Sequence, residues 1–548
     1  MSNLTFSEFA GLCYRIRGTA SKNEKVSIVA EYLKTLDHES LRIASMFLSG
    51  QTFPRGSGLD LNVGYSTVWD ILTELSDLKS DELRKIYIKH GDLGELAEQA
   101  ITKRKIEPLI RIELTLTHIY QQFNKIASTT GYGSTGEKKK IIIGLLVNCS
   151  PIEAKYLVKI LVNELRIGLV GGLVELALAQ AFNRDLNDVR EAFLVGGDIS
   201  YVATLAKDDK LSSAVMQPFT PINFMLADVM SSAKEIVEYY NKPLISEYKY
   251  DGIRAQIHKI GSEVKIFSRR LEDITSAFPE IVAASSKQKN DFILDGELVP
   301  FKNDKPLPFN ELQRRLRRKN VDQNIINEIP VSYMAYDILY RDGSSTIKHV
   351  LTKRKELLSG LALNEPMINV TFLTLNSKEK MMEMFTDSRG LGHEGLVLKD
   401  PDSTYQPGKR GKHWVKLKQE LDTIDAVIVI AEYGHGKRAG VLSDYTFAVW
   451  DNNELKVIGK AYSGLTDEEI DQMTARLKSI MIKNEGYRII VKPEVVLEIA
   501  FDSIQKSNRH DGGYALRFPR IKRIRDDKSI NDIDTLDKVR SIYNSRAV

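Results

Sequence analysis

Apolar residues recur at helical spacing through the first two hundred residues of the chain. Segments such as KVSIVAEYLKTL and PIEAKYLVKILVNEL place them at i, i+3, i+4 and i+7, the pattern of an amphipathic helix. The pattern predicts an all-helical domain over residues 1–212. Two stretches within it, HGDLGELAEQAI at His90–Ile101 and GGDISYVATLAK at Gly196–Lys207, are alike and indicate an internal repeat.

The pattern changes after this helical region. Shorter strand-like segments such as DFILDGELVPF and VSYMAYDILY alternate with helical stretches, which predicts an α+β domain over residues 213–418. Strands dominate residues 419–548, where DEEIDQMTARLKSIM is one amphipathic helix. Some five strands and a helix in this length are typical of a small β-barrel of the OB-fold type.

Composition narrows the class of protein. A length of 548 residues, 43% of them hydrophobic, provides for about three or four domains with cores and excludes a disordered chain. The two cysteines, Cys13 and Cys149, exclude a disulfide framework and a four-cysteine zinc site. No apolar run approaches the roughly 18–20 residues of a membrane span, and the first residues lack a signal-peptide pattern. We therefore expect a soluble cytoplasmic protein.

The sharpest local motif is EYKYDGIR at Glu247–Arg254. It places Lys249 where a predicted strand runs into an Asp-Gly turn. Lys249 is a candidate nucleophile if neighbouring positive charge and partial burial favour its neutral amine. Gly252 would let the backbone approach a phosphate, and Arg254 would offer a planar guanidinium to one. The alternative is an ordinary charged strand and turn at the surface, and the spacing alone leaves both open.

Further short motifs follow this one in a fixed order. They are SRRLED at Ser268–Asp273, DGE at Asp295–Glu297, YD at Tyr336–Asp337, EGLVLK at Glu394–Lys399, WVKLK at Trp414–Lys418 and RFPRIKRIRDDK at Arg517–Lys528. The series resembles the signature of the covalent nucleotidyltransferases, and its last motif resembles that of DNA ligases. The helical region resembles the DNA-binding domain of archaeal and eukaryotic replicative ligases. The whole chain is thus identified as similar to the archaeal-type ATP-dependent DNA ligases.

This resemblance implies a function and a mechanism. The expected enzyme seals nicks in duplex DNA during replication, repair and recombination. Lys249 would attack the α-phosphate of ATP, expel pyrophosphate and carry AMP, which then passes to the 5′-phosphate of the nick. Attack by the 3′-hydroxyl would release AMP and close the strand. Covalent catalysis of this kind divides one difficult step into easier ones.

The resemblance also assigns roles within the predicted adenylation domain. Glu247 would recognise the nucleoside or orient its neighbours, and Tyr336 would stack on adenine unless it is a core tyrosine. Glu297 would accept from ribose hydroxyls or help to hold Mg²⁺, with Mn²⁺ as the alternative, and Glu394 is the expected metal carboxylate. The expected phosphate and ribose clamps are Arg254, Arg269, Arg410, Lys416 and Lys418.

Three basic segments are candidate contacts with DNA or pyrophosphate. The segment Gln313–Lys319 is either a solvated helix face or a contact of Arg314, Arg315, Arg317 and Arg318 with the DNA backbone. Lys437 and Arg438 lie in a glycine-rich turn for which a phosphate contact is expected. The last motif is either a basic tail or the element that orients pyrophosphate. Its candidate residues are Arg517, Arg520, Arg523, Arg525, Asp527 and Lys528.

Charge becomes informative only when it is read by position. The total of 77 Lys and Arg against 73 Asp and Glu gives +4, which predicts no nucleic-acid partner. Ser403–Lys418, however, contains five basic and no acidic residues, and Gln505–Lys528 contains eight against three. These surpluses fall on the motifs that are expected to face ATP and the phosphate backbone.

The expected partner is nicked double-stranded DNA, bound by a monomer associated with the nucleoid. A sliding clamp is a further expected partner, although the sequence contains no convincing clamp-binding peptide. Two alternative classes remain: an RNA ligase or GTP-using capping enzyme, and a non-catalytic nucleic-acid-binding protein that retains the fold. The large helical domain and the complete last motif disfavour the first, and the intact Lys249 motif disfavours the second.

Overall fold

The computed structural model describes residues 5–105, 107–108, 110–230, 232–302, 305–307, 309–316, 318, 321–418, 422–438 and 440–546. The chain forms two compact units, Met1–Ile71 with Ile106–Gln419 and Leu72–Lys105 with Glu420–Val548. The three predicted domain limits stay a prediction. In the part of the chain that is described, every helix is too short or too polar to cross a membrane.

Helices build the N-terminal region, as the periodicity predicts. Ser150 illustrates how they begin: its side chain caps the helix that starts at Pro151, and Glu153 bonds back to its backbone. The helices are α1 Phe6–Gly18, α2 Lys22–Thr35, α3 His38–Leu48, α4 Tyr65–Leu75, α5 Ser80–His90, α6 Leu93–Thr102, α7 Leu116–Ser128, α8 Ser134–Asn148, α9 Pro151–Leu161, α10 Gly171–Phe182, α11 Leu186–Gly196 and α12 Ile199–Lys207. The predicted helical region is confirmed.

The two similar sequence stretches form the same turn. Gly91 ends α5 in the left-handed conformation, with φ of 59°, and the side chain of Asp92 then caps α6. Gly197 ends α11 with φ of 74°, and Asp198 caps α12. Positive φ favours glycine, and an aspartate oxygen can accept from the first helical N–H groups, so both residue types follow from the turn. This shared geometry supports the internal repeat.

The middle region is α+β, as predicted. Its strands form two mainly antiparallel sheets, β1-β12-β11-β2-β10 and β4-β3-β5-β7-β8, with β6 beside β5 and β9 beside β7. The strands are β1 Leu226–Val229, β2 Leu244–Lys249, β3 Ile253–Ile260, β4 Glu263–Ser268, β5 Phe292–Lys302, β6 Lys305–Pro306, β7 Val331–Arg341, β8 Ser344–Ser345, β9 Met367–Asn369, β10 Leu373–Leu375, β11 Gly395–Lys399 and β12 Arg410–Lys418. The helices are α13 Ala233–Tyr240, α14 Pro279–Ser286, α15 Phe309–Leu316, α16 Gln323–Glu328, α17 Leu351–Ser359 and α18 Lys378–Gly390.

The turn between β2 and β3 carries the chain from one sheet to the other. Strand β2 pairs with β11 and β10, whereas β3 pairs with β4 and β5. A Cβ atom on Gly252 would lie 2.3 Å from the carbonyl oxygen of Leu298, so the turn passes against β5 where only glycine fits. Lys249 and Arg254 therefore lie at the ends of strands in two different sheets.

A buried ion pair joins β7 to α17. The Arg354 guanidinium donates from Nε and Nη2 to the two carboxylate oxygens of Asp337, at 2.8 and 2.9 Å, and neither side chain is exposed. Burial alone would raise the pKa of Asp337, but Arg354 holds it below its usual range. Arg354 also donates to the carbonyl oxygens of His349 and Ser403. The pair thus fixes β7, which carries Tyr336, against its neighbours.

The C-terminal region is β-rich, as predicted. Strand β13 pairs with β14, β17 and β18, and β18 pairs with β21, so the sheet surrounds a core that includes Ile424, Phe447 and Leu497. Its elements are β13 Asp422–Tyr433, β14 Leu442–Asp451, β15 Glu454–Ala461, α19 Asp467–Ser479, β16 Met481–Asn484, β17 Arg488–Val491, β18 Val496–Phe501, β19 Ser503–Lys506, β20 Tyr514–Arg517, β21 Arg520–Ile524 and α20 Leu536–Arg546.

Removing one partner of the buried Asp337–Arg354 pair is expected to destabilise the protein strongly. Arg354→Met would leave the Asp337 carboxylate buried without its main partner, at a cost of about 3–5 kcal/mol in the free energy of unfolding. Chemical denaturation measures the change. The control is Lys353→Met on the exposed side of α17, which should leave the transition unchanged. Equal stability of the two variants would contradict the prediction.

Candidate active site

Lys249 ends β2 and forms an ion pair with Glu394. The Nζ atom lies 2.5 Å from Glu394 Oε2, and each side chain keeps about a quarter of its surface exposed (22% and 27%). The pairing follows from strand register, because β11 begins at Gly395 opposite Lys249 and the Glu394 N–H donates to the Lys249 carbonyl oxygen at 2.8 Å. The structure thus brings the predicted nucleophile and the predicted metal carboxylate together.

Glu297 lies on β5 and shares this charged region. Burial is the main reason that its pKa is raised to about 8; Lys249 and Arg254 act to lower it, and Glu394 and Asp251 act to raise it. A bound cation would stabilise the charged form of such a buried carboxylate, as a positive neighbour does. Glu297 and Glu394 therefore have the chemistry of a site for a hard divalent ion.

A complete metal cage is not built from protein alone. Within the described ranges, no group of three or more His, Cys, Asp or Glu side chains is placed to hold a metal ion. Mg²⁺ is typically bound by one or two carboxylates, with substrate phosphates and waters as its other ligands. The two carboxylates Glu297 and Glu394 agree with that mode of binding.

Arg254 is held by a buried carboxylate. Its Nε and Nη2 donate to the two oxygens of Asp295 at 3.0 and 2.7 Å, and the Tyr405 hydroxyl donates to Asp295 at 2.8 Å. The guanidinium carbon lies 4.7 Å from the ring centroid of Phe224 and 5.6 Å from that of Tyr336. These contacts fix the orientation of Arg254 before any ligand binds. Asp295, which the sequence placed in a motif without a role, is the residue that orients it.

Glu247 and Tyr336 meet at one buried end of the site. Lys355 donates from Nζ to Glu247 Oε1 and, at 2.7 Å, to the carbonyl oxygen of Tyr336. Lys399 Nζ lies 2.7 Å from the other Glu247 oxygen and 4.5 and 4.2 Å from the ring centroids of Tyr336 and Trp414. Lys355 was not predicted as a site residue, because it lies in a Lys-Arg-Lys run whose spacing does not show which of the side chains is buried.

The other predicted clamps are less closely tied to this centre. Arg269 is exposed in the turn after β4, and Arg410 is exposed at the start of β12, where it donates to the carbonyl oxygen of Ala227 at 2.9 Å. Lys416 is partly buried on β12, and the side chain of Lys418 lies outside the described part of the chain. Their role as phosphate or ribose clamps stays a prediction.

The structure corrects the predicted DNA contact of Arg315. This side chain on α15 has no exposed surface and donates to both Glu280 oxygens at 2.6 and 2.8 Å. It also donates to the carbonyl oxygens of Ala277 and Ile329. Arg315 cannot reach DNA from this position, so the prediction for it is wrong. The reason is that a basic run on a helix contains a buried face as well as a solvated one.

The other basic residues proposed for DNA differ in their surroundings. Arg314 is exposed and pairs with Glu311 at 2.5 Å and Glu328 at 2.7 Å, and Arg318 is exposed. Arg317 and the side chain of Lys437 lie outside the described residues. In the other compact unit, Arg438 donates to the Tyr462 carbonyl oxygen at 3.4 Å and to Asp467 at 3.3 Å. DNA contacts at these positions stay a prediction.

The basic residues of the last motif are paired with acids of the same unit. Arg525 donates to Asp527 at 2.8 and 2.7 Å and to Asp425 at 3.1 Å, and Lys528 donates to Asp425 at 2.7 Å. Hydrogen bonds from Arg525 lower the pKa of Asp527 to about 2. Other contacts of the motif include Arg523 with Glu498 at 2.6 Å, Arg520 with Asp502 at 3.6 Å and Arg517 over the Phe518 ring at 5.2 Å. Their predicted role with pyrophosphate stays a prediction.

Comparison with known proteins shows that nearly the whole chain has relatives. Residues 5–179, 224–418 and 438–528 match family models described as DNA ligase N terminus, ATP dependent DNA ligase domain and ATP dependent DNA ligase C terminal region. A "Probable DNA ligase" of Koribacter versatilis is 40% identical, over 98% of this chain and 96% of the relative. A "DNA ligase" of Archaeoglobus fulgidus is 35% identical, over 98% of each chain.

A solved structure described as Pmar-Lig_PreS3 has a similar fold, with a TM-score of 0.57 and 16% identity over 94% of this chain and 99% of that one. The three family matches and this similarity of fold define a multidomain protein with a helical, an α+β and a β-rich region. The similarity to these two DNA ligases extends over 98% of the chain, at 40% and 35% identity, and this establishes the family. The chain belongs to the ATP-dependent DNA ligases.

Glu297 is expected to make the folded protein less stable as the pH rises. Its pKa is about 8 in the folded state and near the ordinary 4.5 in the unfolded state, so between these values only the unfolded state has released the proton. The wild-type protein should therefore lose stability from about pH 5 to about pH 8 relative to Glu297→Gln. Denaturation of both proteins across this range measures the difference. The exposed Glu272→Gln serves as control and should follow the wild type.

Proposed function

We propose that this chain seals nicks in duplex DNA through a covalent AMP adduct of Lys249. Membership of the ATP-dependent DNA ligases supports this function. The observation that carries the mechanism is the 2.5 Å pair of Lys249 and Glu394, set at the end of β2 in the EYKYDGIR motif. It places an amine and a carboxylate together, in electrostatic contact with Glu297.

Three transfers would follow one another in this site. The Lys249 amine, after losing a proton, attacks the α-phosphorus of ATP, so that an N–P bond forms and the bond to pyrophosphate breaks. The 5′-phosphate of the nick then attacks the same phosphorus and frees the lysine. Finally the 3′-hydroxyl attacks the activated 5′-phosphorus, loses its proton and releases AMP. In each step the protein positions the groups and balances charge.

Different residues around Lys249 would contact different parts of the nucleotide. Glu394 holds the lysine in place in the resting state, and Glu297 and Glu394 would hold Mg²⁺, with Mn²⁺ as the alternative. Such an ion, when bound, neutralises phosphate charge. Arg254, preset by Asp295, would contact phosphate or ribose, and Tyr336 would stack on the adenine.

DNA binding would be dominated by the phosphate backbone, because a ligase must act at any sequence. Such contacts are supported by the basic segments 403–418 and 505–528, by the exposed Arg314 and Arg318, and by the partly exposed Arg438. The proposed substrate implies an intracellular, nucleoid-associated monomer. A sliding clamp remains a proposed partner.

Incubation with α-labelled ATP and Mg²⁺ or Mn²⁺ tests the covalent step. A labelled band that survives denaturation is expected from the wild-type chain and is expected to be lost in Lys249→Ala, because only this amine can form the adduct. Lys287→Ala, an exposed lysine on the same domain, is the matched control and should label normally. Absence of a band from the wild type with either metal ion would contradict the mechanism.

The choice of substrate separates this function from its alternatives. Nicked DNA with ATP should be joined, whereas RNA ends or GTP should support much less product. Preferential joining of RNA, or labelling by GTP alone, would favour an RNA ligase or a capping enzyme instead.

Affinity for nicked DNA is expected to fall steeply as salt increases. Each phosphate contact releases counterions, so a protein with several contacts loses about 10³–10⁵ in affinity between low and moderate salt. Fluorescence anisotropy with nicked duplexes of two unrelated sequences measures both salt and sequence dependence. Full affinity in about 1 M salt would rule out a backbone-dominated interface.

A further inference from the structure

Lys355 is a buried lysine that lies outside the sequence motifs described above. Only 4% of its surface is exposed, and its ammonium reaches from α17 to two different elements of the nucleotide site. We propose that Lys355 is a positioning residue that sets the nucleobase end of the site and its preference for adenine. This inference rests on the proposed function, because it assumes that Glu247 and Tyr336 contact the base.

The contacts of Lys355 join the two residues that are expected to hold the base. One donor is used on Glu247 Oε1, at the end of β2, and another on the carbonyl oxygen of Tyr336, on β7, at 2.7 Å. Strands β2 and β7 belong to different sheets. A single ammonium group therefore ties the Glu247 carboxylate to the backbone of the residue whose ring is expected to stack on the base.

The charge around Glu247 determines what this carboxylate can recognise. Lys355 contacts one oxygen and Lys399 the other, at 2.7 Å, and all three side chains are almost fully buried. Each oxygen of this carboxylate faces a lysine nitrogen, so the group presents itself to a base as an acceptor. It can accept from the 6-amino group of adenine, whereas the 6-oxo group of guanine would present a second acceptor. Rejection of an acceptor by a buried acceptor gives strong discrimination.

Loss of the Lys355 charge would weaken both the link between Glu247 and Tyr336 and the discrimination between adenine and guanine. The Glu247 carboxylate would lose one of its two lysine contacts and with it a restraint on its orientation toward the base. The carbonyl oxygen of Tyr336 would lose its donor at the same time. Both changes act on the base and leave the Lys249–Glu394 pair in place. We therefore expect the nucleotide preference to change more than the chemical step.

The experiment compares Lys355→Met and Lys355→Gln with Lys355→Arg, which keeps the charge. Covalent labelling of the full chain is followed with α-labelled ATP and with α-labelled GTP. In the Met and Gln variants the KM for ATP should rise about tenfold or more, with a smaller change in kcat, and the ratio of kcat/KM for ATP over GTP should fall about tenfold. The Arg variant should recover part of this ratio. Lys353→Met, two residues earlier on α17, should match the wild type.

A double-mutant cycle tests whether Lys355 acts through Glu247. In a Glu247→Gln background, Lys355→Met should change the ATP to GTP ratio little further, because the residue that it positions is already altered. Additive effects of the two substitutions on the ATP to GTP ratio would contradict the proposal that Lys355 acts through Glu247. Thermal unfolding of every variant identifies those that fold. If neither Lys355→Met nor Lys355→Gln folds, an unchanged ratio in Glu247→Gln overturns the inference.

The outcome for this inference is separate from that for the proposed function. A wild-type chain that forms no adduct with ATP would refute the function. A wild-type chain that forms the adduct, together with a folded Lys355→Met variant of unchanged ATP to GTP ratio, would refute the inference alone.

Discussion

The turn that carries the chain from β2 to β3 is the constraint on which the site depends. It ends one sheet at Lys249 and starts the other near Arg254, and Gly252 lets it pass within van der Waals limits of β5. Every other group is placed relative to this crossing: Glu394 by the pairing of β11 with β2, and Glu297 by the pairing of β5 with β3. Two sheets with ordinary register therefore bring distant motifs to one place.

The same arrangement forces many charges into the interior, and each is compensated by a specific partner. Arg254 is matched by Asp295, Arg354 by Asp337, and Glu247 by two lysines. Burial of such groups is costly unless their hydrogen bonds are complete, so these pairs contribute geometric definition more than net stability. The site is thereby largely formed before a nucleotide arrives.

The sequence motifs indicated which residues come together at the centre of the candidate site and indicated less about the residues around them. Lys249, Glu297 and Glu394 lie in ordered motifs, and register places them together. Arg315 and Lys355 show the limit, because both lie in basic runs on helices, where periodicity does not distinguish a buried cation with a carboxylate partner from a solvated one. Helical, α+β and β-rich regions were predictable because they depend on local patterns, whereas long-range ion pairs depend on tertiary packing.

Two adjacent residues of α17 bind two adjacent residues of β7. Tyr336 and Asp337 are adjacent in β7, at a register shift opposite Asp295 and Gly296 of β5. Arg354 and Lys355, adjacent in α17, bind the Asp337 side chain and the Tyr336 carbonyl oxygen. A one-residue insertion in either element would move one pair of residues out of register with the other. Changes of chain length between these pairs of residues can therefore be accommodated only between β7 and α17, in residues 342–350, and there only outside the short strand β8 that pairs with β7.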